Sequence, residues 1–143
     1  MKEIRILMVE DNEGDVILAK EALKEAKIMN SVDVASDGEA ALDFLFRRGA
    51  FANAQTPDLI FLDINIPKIN GLEVLKIIKA DEKLRLIPVV MLTSSNDDRD
   101  VLEAYSSYVN CYVTKPVDLK TFMDVISEIE SFWLTIVRLP DKE

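Results

Sequence analysis

Acidic side chains directly follow two of the most apolar stretches of this chain. Glu10 and Asp11 come after residues 4–9, and Asp63 comes after residues 59–62. Both stretches have the length of a strand, and residues 59–62 are apolar without a break, which is typical of a strand buried on both faces of a parallel sheet. Because a carboxylate is costly where burial ought to continue, we infer that these acids serve a chemical purpose.

The three acids predict a divalent-cation site. In an open parallel sheet, ligands bind at the carboxyl ends of strands where the winding direction switches, which in a flavodoxin-like sheet lies between strands one and three. Carboxylates gathered there repel one another unless a cation neutralises them. Mg²⁺ fits, since it takes oxygen ligands from one or two carboxylates, waters and phosphates. The alternative, that the acids only cap the helices that follow, explains any one of them but explains all three together poorly.

Two further strand ends add a hydroxyl group and an ammonium group. Thr93, in M-L-T-S-S, ends a fourth predicted strand, and Lys115, in Y-V-T-K-P, ends a fifth. A hydroxyl, an ammonium and a divalent cation around a carboxylate supply the charge neutralisation and positioning that phosphoryl transfer requires. We therefore expect Asp63 to be the nucleophile and to become an aspartyl phosphate. The ordinary alternatives are a helix cap for Thr93 and a surface lysine for Lys115.

The elements that must position these residues alternate regularly between strand and helix. Strands are predicted at residues 4–9, 31–35, 59–62, 88–92 and 111–113, and helices at 15–27, 38–48, 71–80, 97–108 and from about 119. Five strand–helix repeats without a hairpin signal indicate a parallel sheet covered by helices on both faces. No linker or internal repeat interrupts them, so we expect residues 1–143 to form a single α/β domain.

Composition limits the possible functions. The net charge of −9 and the pI of about 4.6 argue against a nucleic-acid surface. The absence of histidine excludes Ser-His-Asp and Cys-His catalysis and imidazole metal sites in this chain. With one cysteine there is no intramolecular disulfide, and no run approaches the roughly 20 apolar residues of a membrane span. We expect a cytoplasmic protein.

From end to end the chain resembles the receiver domain of two-component response regulators. The motifs that carry the resemblance are L-M-V-E-D-N, L-D-I-N-I-P-K-I-N-G, M-L-T-S-S and C-Y-V-T-K-P. The resemblance implies a flavodoxin-like fold with strand order 2-1-3-4-5 and a Mg²⁺ cofactor. It makes Glu10 and Asp11 the acidic pair, Asp63 the phosphoacceptor, and the backbone carbonyl of Asn65 a metal ligand.

The same resemblance assigns the remaining roles. Lys115 would pair with the phosphate, Thr93 and Tyr112 would form the switch, and the Lys115–Pro116 peptide bond would be cis. A sensor histidine kinase would supply the phosphoryl group, and the signal would pass onward through protein contacts. Such a protein promotes only its own phosphorylation and dephosphorylation and is not an enzyme in the usual sense.

Two segments favour a narrower resemblance, to the single-domain regulators paired with bacterial phytochromes. They are the loop F-R-R-G-A-F-A-N-A-Q-T-P-D and the C-terminal S-F-W-L-T-I-V-R-L-P. Only L-P-D-K-E follows the last helix, so we expect output by protein contact, by onward phosphotransfer or by competition for phosphate.

Two other functions remain as alternatives. One is a phosphatase of the haloacid-dehalogenase type, which needs an acid two positions after the nucleophile; Asn65 stands there and cannot transfer a proton. The other is an unphosphorylated, receiver-like scaffold, which the complete acid, hydroxyl and lysine set disfavours.

The C-terminal helix carries an apolar stripe that is longer than the predicted sheet beneath it. Its members, at helical spacing, are Phe122, Val125, Ile126, Ile129, Phe132, Trp133, Ile136 and Val137. We expect an extended C-terminal helix and tail from about residue 130 that reach past the end of the sheet and form a homodimer, since an exposed apolar cluster usually marks an interaction surface. The alternative is that the stripe folds back over residues 49–57, where Phe51 would meet it.

Overall fold

The structure is a computed structural model that describes residues 3–25, 29–93, 98–109, 111–114 and 119–129. Within these ranges the chain alternates between strand and helix. The elements are β1 Ile4–Val9, α1 Glu13–Lys24, β2 Asn30–Ala35, α2 Gly38–Leu45, β3 Leu59–Leu62, α3 Gly71–Ala80, β4 Val89–Thr93, α4 Asp98–Ser106, β5 Cys111–Thr114 and α5 Leu119–Ile129. Short 3₁₀ helices at Gly49–Phe51 and Leu84–Leu86 precede β3 and β4.

The strands form one parallel sheet in the order β2-β1-β3-β4-β5, which confirms the predicted flavodoxin-like fold class. Val9 lies opposite both Ala35 and Leu62, so the carboxyl ends of the three neighbouring strands are level. Two backbone hydrogen bonds extend the ladders past these ends, from Glu10 N to Ala35 O at 3.0 Å and from Asp63 N to Val9 O at 3.1 Å. The register of the parallel strands therefore places Glu10 and Asp63 on the same rim of the sheet.

Alternate residues of the central strands feed two separate apolar cores. On one face Leu7, Ile60 and Leu62 pack with residues of α2 and α3. On the other face Met8 and Phe61 pack with α1 and with Met123 of α5. Both faces are covered, which explains why these strands are apolar at nearly every position instead of at every second one.

Three of the helix boundaries that differ from those predicted have a local reason. Helix α1 begins two residues earlier because Asn12 accepts a hydrogen bond from Asp15 N at 3.0 Å and caps it there. Helices α2 and α4 end early because Arg47 (φ 55°) and Tyr108 (φ 66°) adopt the left-handed conformation that closes a helix C-terminus. Glycine, which normally marks such an end in a sequence, is absent from both positions.

Lys79, on the last turn of α3, holds the segment that leads into β4. Its ammonium donates to the carbonyl oxygens of Arg85 at 3.2 Å and Ile87 at 3.0 Å. Burial lowers the pKa of the Lys79 ammonium because the charged form loses hydration. The contact ties helix α3 to the start of the fourth strand, at the end of the sheet opposite the predicted site.

The C-terminal stripe is described only in part. Helix α5 packs against α1, and Val125 is half-buried. The side chains of Phe122, Ile126 and Ile129 and all of residues 130–143 lie outside the described part of the chain. Phe51 packs on Phe44, with ring centroids 5.6 Å apart. In the described ranges, no helix is both long enough and apolar enough to cross a membrane.

Replacing Leu75 with alanine should lower the free energy of unfolding by about 2–5 kcal/mol, since Leu75 is fully buried between α3 and the sheet and its loss leaves a cavity. The matched control is Leu102→Ala on α4, where the side chain is 68% exposed and the expected change is within about 0.5 kcal/mol. Urea unfolding followed by circular dichroism measures both. Equal losses in the two variants would contradict the described core.

Candidate functional site

Three carboxylates meet at the carboxyl end of the sheet. Glu10, Asp11 and Asp63 each offer an oxygen, and these oxygens all lie within 4.8 Å of one another. Glu10 is 2% exposed and Asp63 is 6% exposed, whereas Asp11 faces solvent. The cluster thus has a buried floor and an open rim, which lets a small ion or a phosphoryl group enter from one side.

The Glu10 carboxylate is oriented by the backbone that leads into α1. Its Oε2 accepts hydrogen bonds from Asp11 N at 3.1 Å and from Asn12 N at 3.2 Å. Asn12 in turn caps α1, so the turn that carries these amides is fixed by the start of the helix. Backbone amides favour the charged form of a carboxylate, and they hold Glu10 toward the cluster.

Asp63 is oriented by the loop that follows β3. Its Oδ1 accepts a hydrogen bond from Asn65 N at 3.0 Å. The loop returns on itself through Gly71 N, which donates to Ile64 O at 2.9 Å. A Cβ on Gly71 would overlap the carbonyl oxygen of Asp63, so only glycine allows α3 to start this close to the acid. Asn70 then caps α3 through Leu72 N at 2.8 Å.

The other predicted site residues are described to different extents. Thr93 ends β4 and lies opposite Thr114 in the sheet, but its side chain is outside the described residues, as are Lys115 and Pro116 with their predicted cis bond. Tyr112 on β5 is half-buried, and its ring centroid is 6.5 Å from that of Tyr105 on α4. Asn65 is exposed beside Asp63.

The donor set of the cluster fits a hard divalent cation. All three side chains are carboxylates, and Mg²⁺ and Mn²⁺ prefer oxygen ligands while softer metals select thiolate or imidazole. A cation at this point also removes the repulsion between Asp11, Asp63 and Glu10. The residues present therefore fit the predicted metal.

Two residues that the motifs did not single out border this site. Asp37, the N-cap of α2, lies with its Oδ2 3.7 Å from the ammonium of Lys68 in the loop after Asp63. The S-D-G sequence at residues 36–38 indicates a helix start, but nothing in it reveals a contact with a loop 30 residues away.

The family model for the response regulator receiver domain matches residues 6–127. The chain belongs to this family. The match covers β2 to β5, most of β1 and both segments that supply the acid cluster. This receiver domain is therefore a signalling module of the two-component type, as its motifs predict.

Similar proteins support a narrower grouping. The receiver domain is 45% identical over 135 residues to response regulator Rcp1 of Synechocystis sp. (strain ATCC 27184 / PCC 6803 / Kazusa), covering 94% of this chain and 92% of Rcp1. The crystal structure of Mn²⁺-bound Rcp1 superimposes with a TM-score of 0.87 at 44% identity, covering 96% of this chain and 99% of that one.

A second solved structure, of the phosphorylated cyanobacterial phytochrome response regulator RcpA, superimposes with a TM-score of 0.89 at 41% identity, covering 98% of this chain and all (100%) of that one. The predicted resemblance to phytochrome response regulators is confirmed. Both relatives are named as response regulators, so the haloacid-dehalogenase alternative gains no support.

Replacing Asp11 with asparagine should affect stability and metal affinity in opposite directions. Without divalent ions the variant should be more stable by about 0.5 kcal/mol, because one of three mutually repelling charges is gone from the exposed rim. Its Mg²⁺ affinity should fall by about tenfold or more. Thermal melts across a MgCl₂ series measure both, since a ligand that binds the folded state raises the midpoint.

The control for that experiment is Asp33→Asn, which removes one exposed carboxylate from β2 outside the cluster. It should leave the response to Mg²⁺ unchanged. An Asp11→Asn protein that responds to Mg²⁺ as the wild type does would show that the acid cluster is not a metal site.

Proposed function

We propose that this receiver domain accepts a phosphoryl group on Asp63 from a histidine of a sensor kinase. The observation that carries the proposal is the geometry of Asp63. Its carboxylate is buried at the carboxyl end of β3, oriented by Asn65 N, and within 4.8 Å of the carboxylates of Glu10 and Asp11. A carboxylate with only a structural role would have no reason to lie buried beside two other carboxylates.

In the proposed reaction a carboxylate oxygen of Asp63 attacks phosphorus. The bond from phosphorus to the kinase histidine breaks, and its electron pair stays on the imidazole nitrogen. Hydrolysis later returns the free carboxylate and inorganic phosphate, so the domain promotes its own phosphorylation and dephosphorylation. The hydrogen bond from Asn65 N keeps the carboxylate in one orientation, and such pre-positioning is a main contribution of the protein to phosphoryl transfer.

Asp11, Asp63 and the backbone carbonyl of Asn65 would hold Mg²⁺ directly, with Glu10 acting through water. When bound, Mg²⁺ supplies charge neutralisation for the phosphoryl oxygens. The burial of Glu10 and the exposure of Asp11 support this division, because the buried acid is already bonded to two backbone amides. The Mn²⁺-bound structure of Rcp1 supports a divalent ion in this fold.

Lys115 would pair with a phosphoryl oxygen, and the Thr93 hydroxyl would donate to another. Phosphorylation adds about −1.5 to −2 charges and three acceptor oxygens, enough to draw both groups inward. Tyr112 would then turn into the space that Thr93 leaves. The contact between Tyr112 and Tyr105 supports this route, since it joins β5 to α4 at a partly exposed surface.

A phytochrome-type sensor histidine kinase is the proposed phosphodonor, supported by the similarity to Rcp1 and RcpA. The downstream partner would be a protein that reads the surface of α4, β5 and α5, or a phosphotransfer protein. A cytoplasmic location stays a prediction.

Incubation with acetyl phosphate and Mg²⁺ should add one phosphoryl group to the wild-type chain, and Asp63→Asn should abolish the addition because the amide is not a nucleophile of comparable strength. Intact-protein mass spectrometry measures the product, and loss in hydroxylamine identifies an acyl phosphate. Asp33→Asn is the matched control and should be phosphorylated normally. Undiminished labelling of Asp63→Asn would refute the assignment.

We also propose a homodimer through the apolar stripe of the C-terminal helix. The stripe is the support: Val125, half-buried on α5, belongs to it, and the predicted continuation adds Phe132, Trp133, Ile136 and Val137. A twofold axis would bring like patches together.

Replacing Trp133 with glutamate should give a folded, phosphorylatable monomer, since a charge is costly in an apolar interface. Size-exclusion chromatography with light scattering measures the mass. The control is Ser127→Glu, which adds the same charge at an exposed position of α5 and should leave the dimer intact. A wild-type chain that stays monomeric at high protein concentration, with and without phosphorylation, would exclude the dimer.

A further inference from the structure

The segment that carries Asp63, residues 63–71, is held from two sides by the starts of two helices. We call this segment the phosphoacceptor loop. On one side Gly71, the first residue of α3, lies against the backbone of Asp63 and Ile64. On the other side Gly38, the first residue of α2, lies against Ile69. Gly38 itself belongs to none of the motifs named for the site.

The contact at Gly38 leaves no room for a side chain. Gly38 N donates to Pro67 O at 3.1 Å, and Ile69 N donates to the same oxygen at 2.9 Å. A Cβ on Gly38 would overlap the carbonyl oxygen of Ile69 and would lie 2.7 Å from the Ile69 Cβ. Because the first obstacle is backbone, a larger residue here must displace either α2 or the phosphoacceptor loop.

Lys68 reinforces the same junction. Lys68 adopts a φ of 69°, which is in the left-handed region. This conformation is unfavourable for lysine and persists only when the surrounding structure holds the residue in place. Its ammonium lies 3.7 Å from Asp37 Oδ2, while Asp37 Oδ1 caps α2 through Ala40 N at 2.7 Å. One carboxylate thus joins the helix start to the loop.

A displacement at Ile69 reaches Asp63 through very few bonds. Asn70 and Gly71 follow immediately, Gly71 N donates to Ile64 O at 2.9 Å, and Gly71 touches the carbonyl oxygen of Asp63. Asn65 N, which orients the Asp63 carboxylate, lies in the same closed segment. The position of α2 is therefore transmitted to the carboxylate.

We propose that Gly38 is a positioning residue for the reaction at Asp63, and that Lys68 assists it. The first turn of α2 fixes the far side of the phosphoacceptor loop, and the missing side chain of Gly38 sets how closely the two approach. The inference rests on the proposed function of Asp63, and it concerns the Mg²⁺ affinity as well as the rate of phosphorylation.

Gly38→Ala tests it. The variant should phosphorylate at least about tenfold more slowly at saturating Mg²⁺ and acetyl phosphate, because small displacements of a reacting group cost large factors in rate. Its Mg²⁺ affinity should fall as well. The matched control is Gly49→Ala, where an added Cβ meets nothing within 4 Å but the φ of 56° strains an alanine. It should lower the thermal midpoint without changing either quantity.

A second variant, Lys68→Gly, tests the same proposal in case the Gly38→Ala protein does not fold. Lys68→Gly accepts the left-handed conformation freely and loses the ion pair to Asp37. Its thermal midpoint should be at least that of the wild type, while its phosphorylation rate should drop about two- to fivefold, in keeping with a partly exposed pair. A purely structural role for the junction would move stability and rate together.

The outcomes separate the two proposals. A folded Gly38→Ala protein with wild-type Mg²⁺ affinity and rate would overturn the positioning role, as would an unchanged rate in Lys68→Gly if Gly38→Ala does not fold. A wild-type chain that binds Mg²⁺ but is not labelled on Asp63 would instead overturn the proposed function. In that case the Mg²⁺ affinities of the variants still decide the positioning role.

Discussion

A single backbone hydrogen bond, from Asp63 N to Val9 O, sets the level at which β3 leaves the sheet beside β1. Val9 also lies opposite Leu62. The acids that directly follow these two residues, Glu10 and Asp63, therefore meet on one rim of the sheet. A shift of one residue would send every side chain of β3 to the other face of the sheet. The apolar cores on both faces therefore enforce the register that the chemistry needs.

The site works against the stability of the fold. Three like charges are gathered in one place, and two of the acids are nearly removed from water. The backbone compensates locally: amides of residues 11 and 12 bond to Glu10, and the amide of Asn65 bonds to Asp63. Fixed dipoles of this kind orient the carboxylates and favour their charged form, although they carry no net charge of their own.

Much of the fold follows from the sequence because the signals are local. Apolar runs mark β1 and β3, helical spacing marks α5, and the acids at strand ends mark the site. The early ends of α2 and α4 were missed because arginine and tyrosine occupy conformations where glycine is usual. The contact of Gly38 with Ile69 was not predictable either, since it joins backbone atoms of distant segments and leaves no side-chain pattern. The roles of Thr93, Lys115 and the C-terminal stripe stay predictions.

The two loops on either side of β3 differ in how freely their length can vary. Residues 63–71 are closed at both ends by hydrogen bonds and by two glycine contacts, so an inserted or deleted residue there would move Asp63 or detach a helix. Residues 46–57 connect α2 to β3 at the amino end of the sheet, and Phe51 and Ala54 of this loop pack on the core. A change in the length or composition of that second loop would therefore leave the end of the sheet that carries the three acids as it is.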